Sequence, residues 1–121
     1  MSATNFSVYV PEYLVAQVDK RAAVFGRTRN AQWRHLLNLG LQYLDEGEPL
    51  PEMPEWDETW RQVTIRIPND LLLEIRDSAE KSQRRVGPEA LLIIFLAIEE
   101  TTRRDMVVIR QMLERQGSAA R

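Results

Sequence analysis

Two short stretches of the chain alternate between polar and apolar residues and then stop at a proline. The first includes SVYVP at residues 7–11 and the second is QVTIRIP at residues 62–68. Because successive side chains of a strand point to opposite faces, this pattern predicts two β-strands, each with one apolar and one polar face. The polar faces would carry Asn5, Ser7 and Tyr9 in one strand and Gln62, Thr64 and Arg66 in the other. Such a face is typical either of a solvated sheet or of a surface that hydrogen-bonds to base edges.

Helical spacing follows each proline. In the first half, apolar residues at every third or fourth position predict a helix that runs to about Phe25, and Gly26 is suited to end it in a left-handed conformation. Thr28 or Asn30 can cap a second helix. The apolar stripe of that helix consists of Trp33, Leu36, Leu37, Gly40, Leu41 and Leu44.

The second half predicts helices of similar spacing. The first covers roughly residues 69–82, and the sequence Gly87-Pro88-Glu89 is a good start for the next. That helix is apolar nearly all round, so we expect it to be buried on more than one side. Residues 101–121 predict a separate last helix with Met106, Ile109 and Leu113 on one face. This helix would cover the exposed apolar side of the second half or, as the alternative, form an oligomer contact.

The two halves repeat one pattern. A shift of 57 residues without a gap places Val8, Val10 and Pro11 on Ile65, Ile67 and Pro68, and the apolar helix positions also coincide. The predicted organisation is a first strand-helix-helix unit at 1–44, a linker at 45–60, a second unit at 61–100 and a C-terminal helix and tail at 101–121. A unit of about 40 residues with a single strand buries too little surface to fold alone, so the two units are expected to pair.

Composition and charge narrow the class of protein. The chain has 121 residues, no cysteine and a net charge of −2, which predicts one small domain without disulfides or a thiolate metal site. The charge is uneven: residues 45–60 hold seven acids and no base, whereas both flanking parts carry a small basic excess. The linker also contains Met53, Trp56 and Trp60, which we expect to pack onto the domain; a partner-binding segment is the alternative.

The repeated unit resembles the ribbon-helix-helix family of DNA-binding proteins, typified by Arc and MetJ. The likeness rests on QVTIRIP at 62–68, SVYVPEYL at 7–14 and GRTRNAQW at 26–33. Two copies within one chain resemble the TraY-type accessory proteins of bacterial conjugation. The resemblance implies a mainly α fold in which the two units form an intramolecular pseudo-dimer with a two-stranded antiparallel ribbon, plus an extra C-terminal helix. Pairing between two chains is the alternative.

In that family the ribbon enters the DNA major groove and the second helix begins at the DNA backbone. The resemblance therefore implies base contacts by the six polar strand residues. It also implies phosphate contacts by Arg27, Thr28, Arg29, Asn30, Arg61, Arg84 and Arg85. The second turn departs from the first because Pro88 removes one N–H donor near the helix start.

The expected function is sequence-specific binding of double-stranded DNA, as a transcriptional repressor or a plasmid-transfer accessory factor. We expect no enzyme activity, catalytic residue, metal, cofactor, small-molecule substrate or membrane partner, and a cytoplasmic location in a prokaryote, plasmid or phage. Self-association on DNA through the C-terminal helix is a further expectation. The alternative is a protein-interaction module on the same scaffold that uses Trp56, Trp60 and the C-terminal helix.

Overall fold

The protein is described by a computed structural model that covers residues 2–55 and 59–119, with side chains up to residue 117. Its described elements follow the order strand, helix, helix, strand, helix, helix. They are β1 (Ala3–Pro11), α1 (Glu12–Phe25), α2 (Arg29–Asp45), β2 (Trp60–Pro68), α3 (Asn69–Ser82) and α4 (Val86–Ala119). A mainly helical fold with a small sheet is what the sequence predicts.

The two strands pair with each other in an antiparallel two-stranded sheet. The register brings Ser7 opposite Thr64 at the middle of the pairing. Val8, Val10, Ile65 and Ile67 are buried on the inner face, while the polar residues between them are exposed. The alternation in the sequence therefore predicted the two faces correctly.

The helix ends are fixed by local hydrogen bonds. Gly26 ends α1 at φ +65, and the Thr28 side chain accepts a hydrogen bond from the Ala31 N–H at the start of α2. Gln83 ends α3 in the same left-handed region at φ 56, although it is not glycine. The backbone N–H that follows each of these residues closes the same bond, Arg27 to the Ala22 carbonyl and Arg84 to the Ala79 carbonyl, both at 2.9 Å.

The core lies between the inner face of the sheet and all four helices. The centre of α4 contributes most, because residues 90–94 are all at most 2% exposed. This burial confirms the expectation from its all-round apolar sequence. At the crossing of α2 and α4 a Cβ on Gly40 would lie 2.3 Å from the Ile93 carbonyl oxygen, so only glycine allows the two backbones to approach this closely.

The prediction of a separate C-terminal helix is wrong, because α4 is one helix of 34 residues that continues through position 101. Nothing interrupts it: no proline or glycine occurs between Pro88 and Gly117. From Thr102 to Gly117 every residue is exposed. The expectation that this segment covers the second half is therefore also wrong, and we call residues 102–117 the projecting segment of α4.

A cluster of charged residues holds α4 where the projecting segment begins. The Arg104 guanidinium bonds to Glu100 and to Glu46 beyond the end of α2, both at 2.9 Å, and lies 4.3 Å from the centre of the Tyr43 ring. Arg103 also pairs with Glu100. Hydrogen bonds from Arg103 and Arg104 lower the pKa of the Glu100 carboxyl to about 2.

The linker between α2 and β2 is partly packed on the body. Leu50 lies against the core cluster, whereas Met53 and Trp60 are 42% and 41% exposed. Trp56 lies outside the described residues. The expected packing of Met53 and Trp60 onto the domain is therefore at most partial. Within the parts of the chain that the structure describes, no helix is long and apolar enough to cross a membrane.

Candidate functional site

The outer face of the sheet is a small polar surface, which we call the ribbon face. It consists of Asn5, Ser7, Tyr9, Gln62, Thr64 and Arg66, all of them exposed. The register arranges them in three cross-strand pairs: Asn5 with Arg66, Ser7 with Thr64, and Tyr9 with Gln62. The two hydroxyls of the middle pair lie 3.3 Å apart. The residues predicted from two distant stretches of sequence are thus brought together on one surface.

Each end of the ribbon is tied to the helix that follows it. The Glu12 N–H donates to the Thr59 carbonyl at 3.0 Å, and the Asn69 N–H donates to the Ser2 carbonyl at 3.3 Å. The Thr4 hydroxyl also donates to the side chain of Asn69. These bonds link the first turn of a helix to the start of the opposite strand, so the ribbon is fixed to the body at both ends.

Asn30 holds the outer edge of β2. Its side-chain oxygen accepts from the Arg66 N–H at 2.7 Å, and its side-chain nitrogen donates to the Arg66 carbonyl at 3.1 Å. Both hydrogen-bonding groups of the Asn30 amide are therefore used by the strand. The sequence predicted Asn30 as a helix cap or a phosphate ligand. Its role in positioning β2 was not predictable, because the contact joins residues 36 positions apart.

The turn between α1 and α2 contains two arginines that were predicted to contact phosphate. Arg29 forms a two-bond ion pair with Asp19, with distances of 2.6 and 2.9 Å, on an exposed surface. Arg27 donates to the Gln32 side chain at 3.0 Å and lies 5.1 Å from the centre of the Phe25 ring. Thr28 caps α2. The cap leaves the turn ordered with both guanidinium groups near the start of a helix.

The turn between α3 and α4 is organised by a buried carboxylate. Glu89 is fully buried and accepts hydrogen bonds from Ser78 at 2.6 Å, Ser82 at 3.0 Å and Arg84 at 3.1 Å. Arg84 is therefore held in a structural ion pair, whereas Arg85 is exposed. The sequence predicted Glu89 only as a residue at the start of a helix. Its burial was not predictable because its two serine partners belong to the preceding helix.

Arg61, the remaining basic residue of the predicted set, lies at the start of β2 and 3.8 Å from Glu12. An exposed pair at this distance contributes little to stability, so Arg61 can exchange its partner at low cost. The pair of Arg29 and Asp19 is also exposed, but its two short hydrogen bonds make it stronger than that of Arg61. Arg84 differs because its partner is a buried carboxylate that would lose a charged hydrogen-bond donor.

Comparison with known proteins adds no assignment. No family model, curated protein or solved structure matches this chain.

Among the described residues, no group of three or more histidine, cysteine, aspartate or glutamate side chains is arranged to hold a metal ion. His35, the single histidine of the chain, has its pKa lowered by partial desolvation and then by the charge of Arg27. The ribbon face and its two flanking turns form the candidate functional site.

Proposed function

We propose that this protein binds double-stranded DNA sequence-specifically by inserting its ribbon face into the major groove. The observation that carries the proposal is the set of six exposed side chains, paired across a two-stranded ribbon whose other face is buried. A two-stranded β-ribbon fits the width of the major groove, where each base pair presents a distinct pattern of donors and acceptors. The biological role we propose is that of a repressor or a plasmid-transfer accessory factor.

The two halves act, in this proposal, as the two subunits of an intramolecular pseudo-dimer. Ser7 and Thr64 are equivalent under the 57-residue shift, and they lie directly opposite each other in the ribbon. An approximate two-fold axis between them would exchange the strands. The same shift relates the two bonds at the ribbon ends, Glu12 to Thr59 and Asn69 to Ser2. It also relates Arg27 with Gln32 to Arg84 with Glu89, the pairs that order the two turns.

The chemistry of the ribbon face suits base recognition. Arginine bonds to the two acceptors of guanine, and asparagine or glutamine bonds to the donor and acceptor of adenine. Asn5 and Arg66 stand together at one end of the ribbon, and Gln62 and Tyr9 at the other. Because Arg66 is equivalent to Tyr9 under the repeat, the two ends are chemically different. The proposed target is therefore an asymmetric sequence.

Phosphate contacts would come from the start of α2 and from the start of β2. Arg29 and Arg61 have exposed acidic partners that a phosphate can replace, and the cost is lower for Arg61 because its partner is more distant. Backbone N–H groups at the start of α2 add a local positive potential. We assign Arg84 and Asn30 to holding the turn and the strand instead, since each is engaged by a partner within the fold.

The test is a selection experiment with purified protein and a pool of random-sequence duplexes. We expect enrichment of one motif, together with affinity that falls steeply with salt, because neutralised phosphates release counterions. The control is a single-stranded pool, which lacks a major groove. Failure to enrich any duplex motif, with binding that is insensitive to salt, would reject the proposal.

The second candidate is a protein-interaction module on the same scaffold. It is favoured by one observation: the projecting segment of α4 exposes Met106, Ile109 and Leu113 by about half or more. Trp60 at the start of β2 would contribute to such a surface, and Trp56 lies outside the described residues. Under this reading the random duplex pool yields no motif, which separates the two candidates.

A further inference from the structure

We infer that the projecting segment of α4 is a self-association surface, and that its occupant is the same segment of a second copy of this chain. The projecting segment contacts the body through Thr102 and Arg104 at its start and is about 24 Å long at about 1.5 Å per residue. Its apolar side chains between Met106 and Leu113 are 46–61% exposed. A helix of this composition has an apolar side that nothing in the described chain covers.

The apolar residues form a continuous surface on one side of the helix. At about 100° per residue, Met106, Val108, Ile109, Met112 and Leu113 fall within an arc of about 160°, while Val107 lies outside it. A contiguous patch of this kind covers on the order of a few hundred Å², which is comparable to the largest apolar patch on a typical monomeric protein, and such patches are often functional. Single exposed hydrophobic residues are common on protein surfaces, whereas five on one side of a helix form a continuous apolar surface.

The spacing matches a short two-helix seam. With Met106 at position a of a heptad, Ile109 is at d and Leu113 at the next a. Glu99 and Thr102 precede Met106 by seven and four residues and are exposed, but Thr102 accepts a hydrogen bond from Arg21 of α1 at 3.1 Å. The body therefore borders this side of α4 before Met106, and the apolar stripe formed by Met106, Ile109 and Leu113 lies beyond that contact, where every residue up to Gly117 is exposed. A second helix can therefore approach the stripe without displacing the core.

The flanking charges favour a second copy in parallel orientation. Asp105 lies at position g and Arg110 at the following position e, which are the positions that face each other between parallel helices. A symmetric pair would therefore contain two Asp105–Arg110 ion pairs. In the antiparallel orientation Arg103 and Arg110, both at e, would face arginines of the other copy. The charge pattern is thus complementary to itself, as a symmetric dimer requires.

The buried area indicates how strong the association should be. Two such patches facing each other bury on the order of 1,000 Å², near the lower limit for specific interfaces. We therefore expect a weak dimer in solution, with a dissociation constant roughly in the micromolar range or above. If the proposed DNA binding is correct, two copies held on neighbouring sites would associate at a much higher effective concentration, and binding would be cooperative.

The experiment is sedimentation velocity of the full chain without DNA, over a concentration series. We expect the wild type to shift from monomer towards dimer, and Ile109→Asp to raise the dissociation constant by about tenfold or more, because a charge would enter the seam. The matched control is Gln111→Asp, which adds the same charge on the opposite side of the same helix. Both positions are exposed, so circular dichroism should show the same folded body in both variants.

Charge exchange tests the identity and orientation of the occupant. Asp105→Arg and Arg110→Asp should each weaken the dimer, and the double variant should restore it, since the exchanged pairs face each other again. The inference would be overturned if the chain stayed monomeric at every concentration, or if Ile109→Asp and Gln111→Asp had equal effects. The apolar side of the projecting segment would then be a binding surface for a helix of another protein. Because no DNA is present, these outcomes are independent of whether the ribbon binds a duplex.

Discussion

At the scale of single residues, Arg66 is the residue on which the proposed recognition depends most. Its side chain is on the exposed ribbon face, while its backbone is held on both sides, by pairing with β1 and by the Asn30 amide. A guanidinium group on a fixed backbone loses less freedom on binding than one on a mobile loop. The strand thus presents a donor on a fixed backbone, which the proposed recognition of a base edge requires.

We predict that Arg66→Ala lowers affinity for the selected motif by about 1–3 kcal/mol and relaxes the preference at one base pair. The measurement is a gel shift with the motif and its single-base variants. Arg115→Ala, which removes the same charge from the projecting segment, is the control and should not change base preference. Loss of affinity without any change in preference would contradict the assignment of Arg66 to a base.

Arg29→Ala should weaken binding to all duplexes alike and reduce the salt slope by about one, because it would remove one phosphate contact. Folding stability should change little, since the Arg29–Asp19 pair is exposed. Asp19→Asn is the matched control, because it breaks the same pair but leaves the arginine free. A phosphate role requires that only the arginine variant weaken DNA binding; equal effects of both variants would show that the pair itself matters.

Glu100 should make stability depend on pH. Its pKa in the folded protein is lowered to about 2 from an ordinary value of 4.5 by hydrogen bonds from Arg103 and Arg104. Its stabilising contribution is therefore fully present above about pH 4.5 and is lost as the pH falls towards 2. We predict that Glu100→Gln is less stable than the wild type at pH 7, and that this difference shrinks between about pH 5 and 2.

Urea unfolding at a series of pH values would measure this difference. Glu99→Gln is the control, because Glu99 is the exposed neighbour on the same helix. A difference between wild type and Glu100→Gln that stays constant down to pH 2 would show that the arginine contacts do not stabilise the carboxylate.

At the scale of the helices and strands, the crossing of α2 and α4 is the most constrained contact. We predict that Gly40→Ala destabilises the fold by about 1–3 kcal/mol, because the added methyl group meets the backbone of Ile93 rather than a flexible side chain. The control is Gly87→Ala, where nothing lies within 4 Å of the added group. Thermal unfolding of both variants would test this: equal stability of the two would mean that the helices can move apart freely.

The elements also show what the sequence could and could not predict. Period-two alternation predicted both strands and their exposed faces, because side-chain direction in a strand depends only on neighbouring residues. The left-handed Gln83 was not predictable because glutamine is not a residue type that usually ends a helix in this conformation. The burial of Glu89 was not predictable because it depends on two serine side chains of α3. The continuity of α4 was missed because the residues that join its two apolar stretches, 99–105, are all polar. No helix-breaking residue lies among them.

At the scale of the whole molecule, the proposed pseudo-dimer would make the difference between Tyr9 and Arg66 the main source of asymmetry in the ribbon. We predict that Tyr9→Arg moves the selected motif towards a palindrome, by adding at the mirrored position the guanine preference of Arg66. Tyr9 is 62% exposed, so the fold should tolerate the change. Selection from the random duplex pool would measure the symmetry of the motif.

The control for this prediction is Tyr9→Phe, which keeps the ring and should leave the motif asymmetric. A motif from Tyr9→Arg that gains preference at an unrelated position would contradict the two-fold arrangement, whereas an unchanged motif would remove Tyr9 from the set of base contacts.

The pairing of β1 with β2 also determines when the sheet can form during synthesis of the chain. Residues that pair in the ribbon are separated by up to 65 positions, so β1 leaves the ribosome long before its partner exists. At about 5–20 residues per second, the wait lasts roughly 3–13 s. During that interval β1 has no strand to pair with, so the sheet cannot form within the chain. The tandem arrangement therefore delays formation of the sheet during synthesis, but it keeps both strands of the sheet in the same chain.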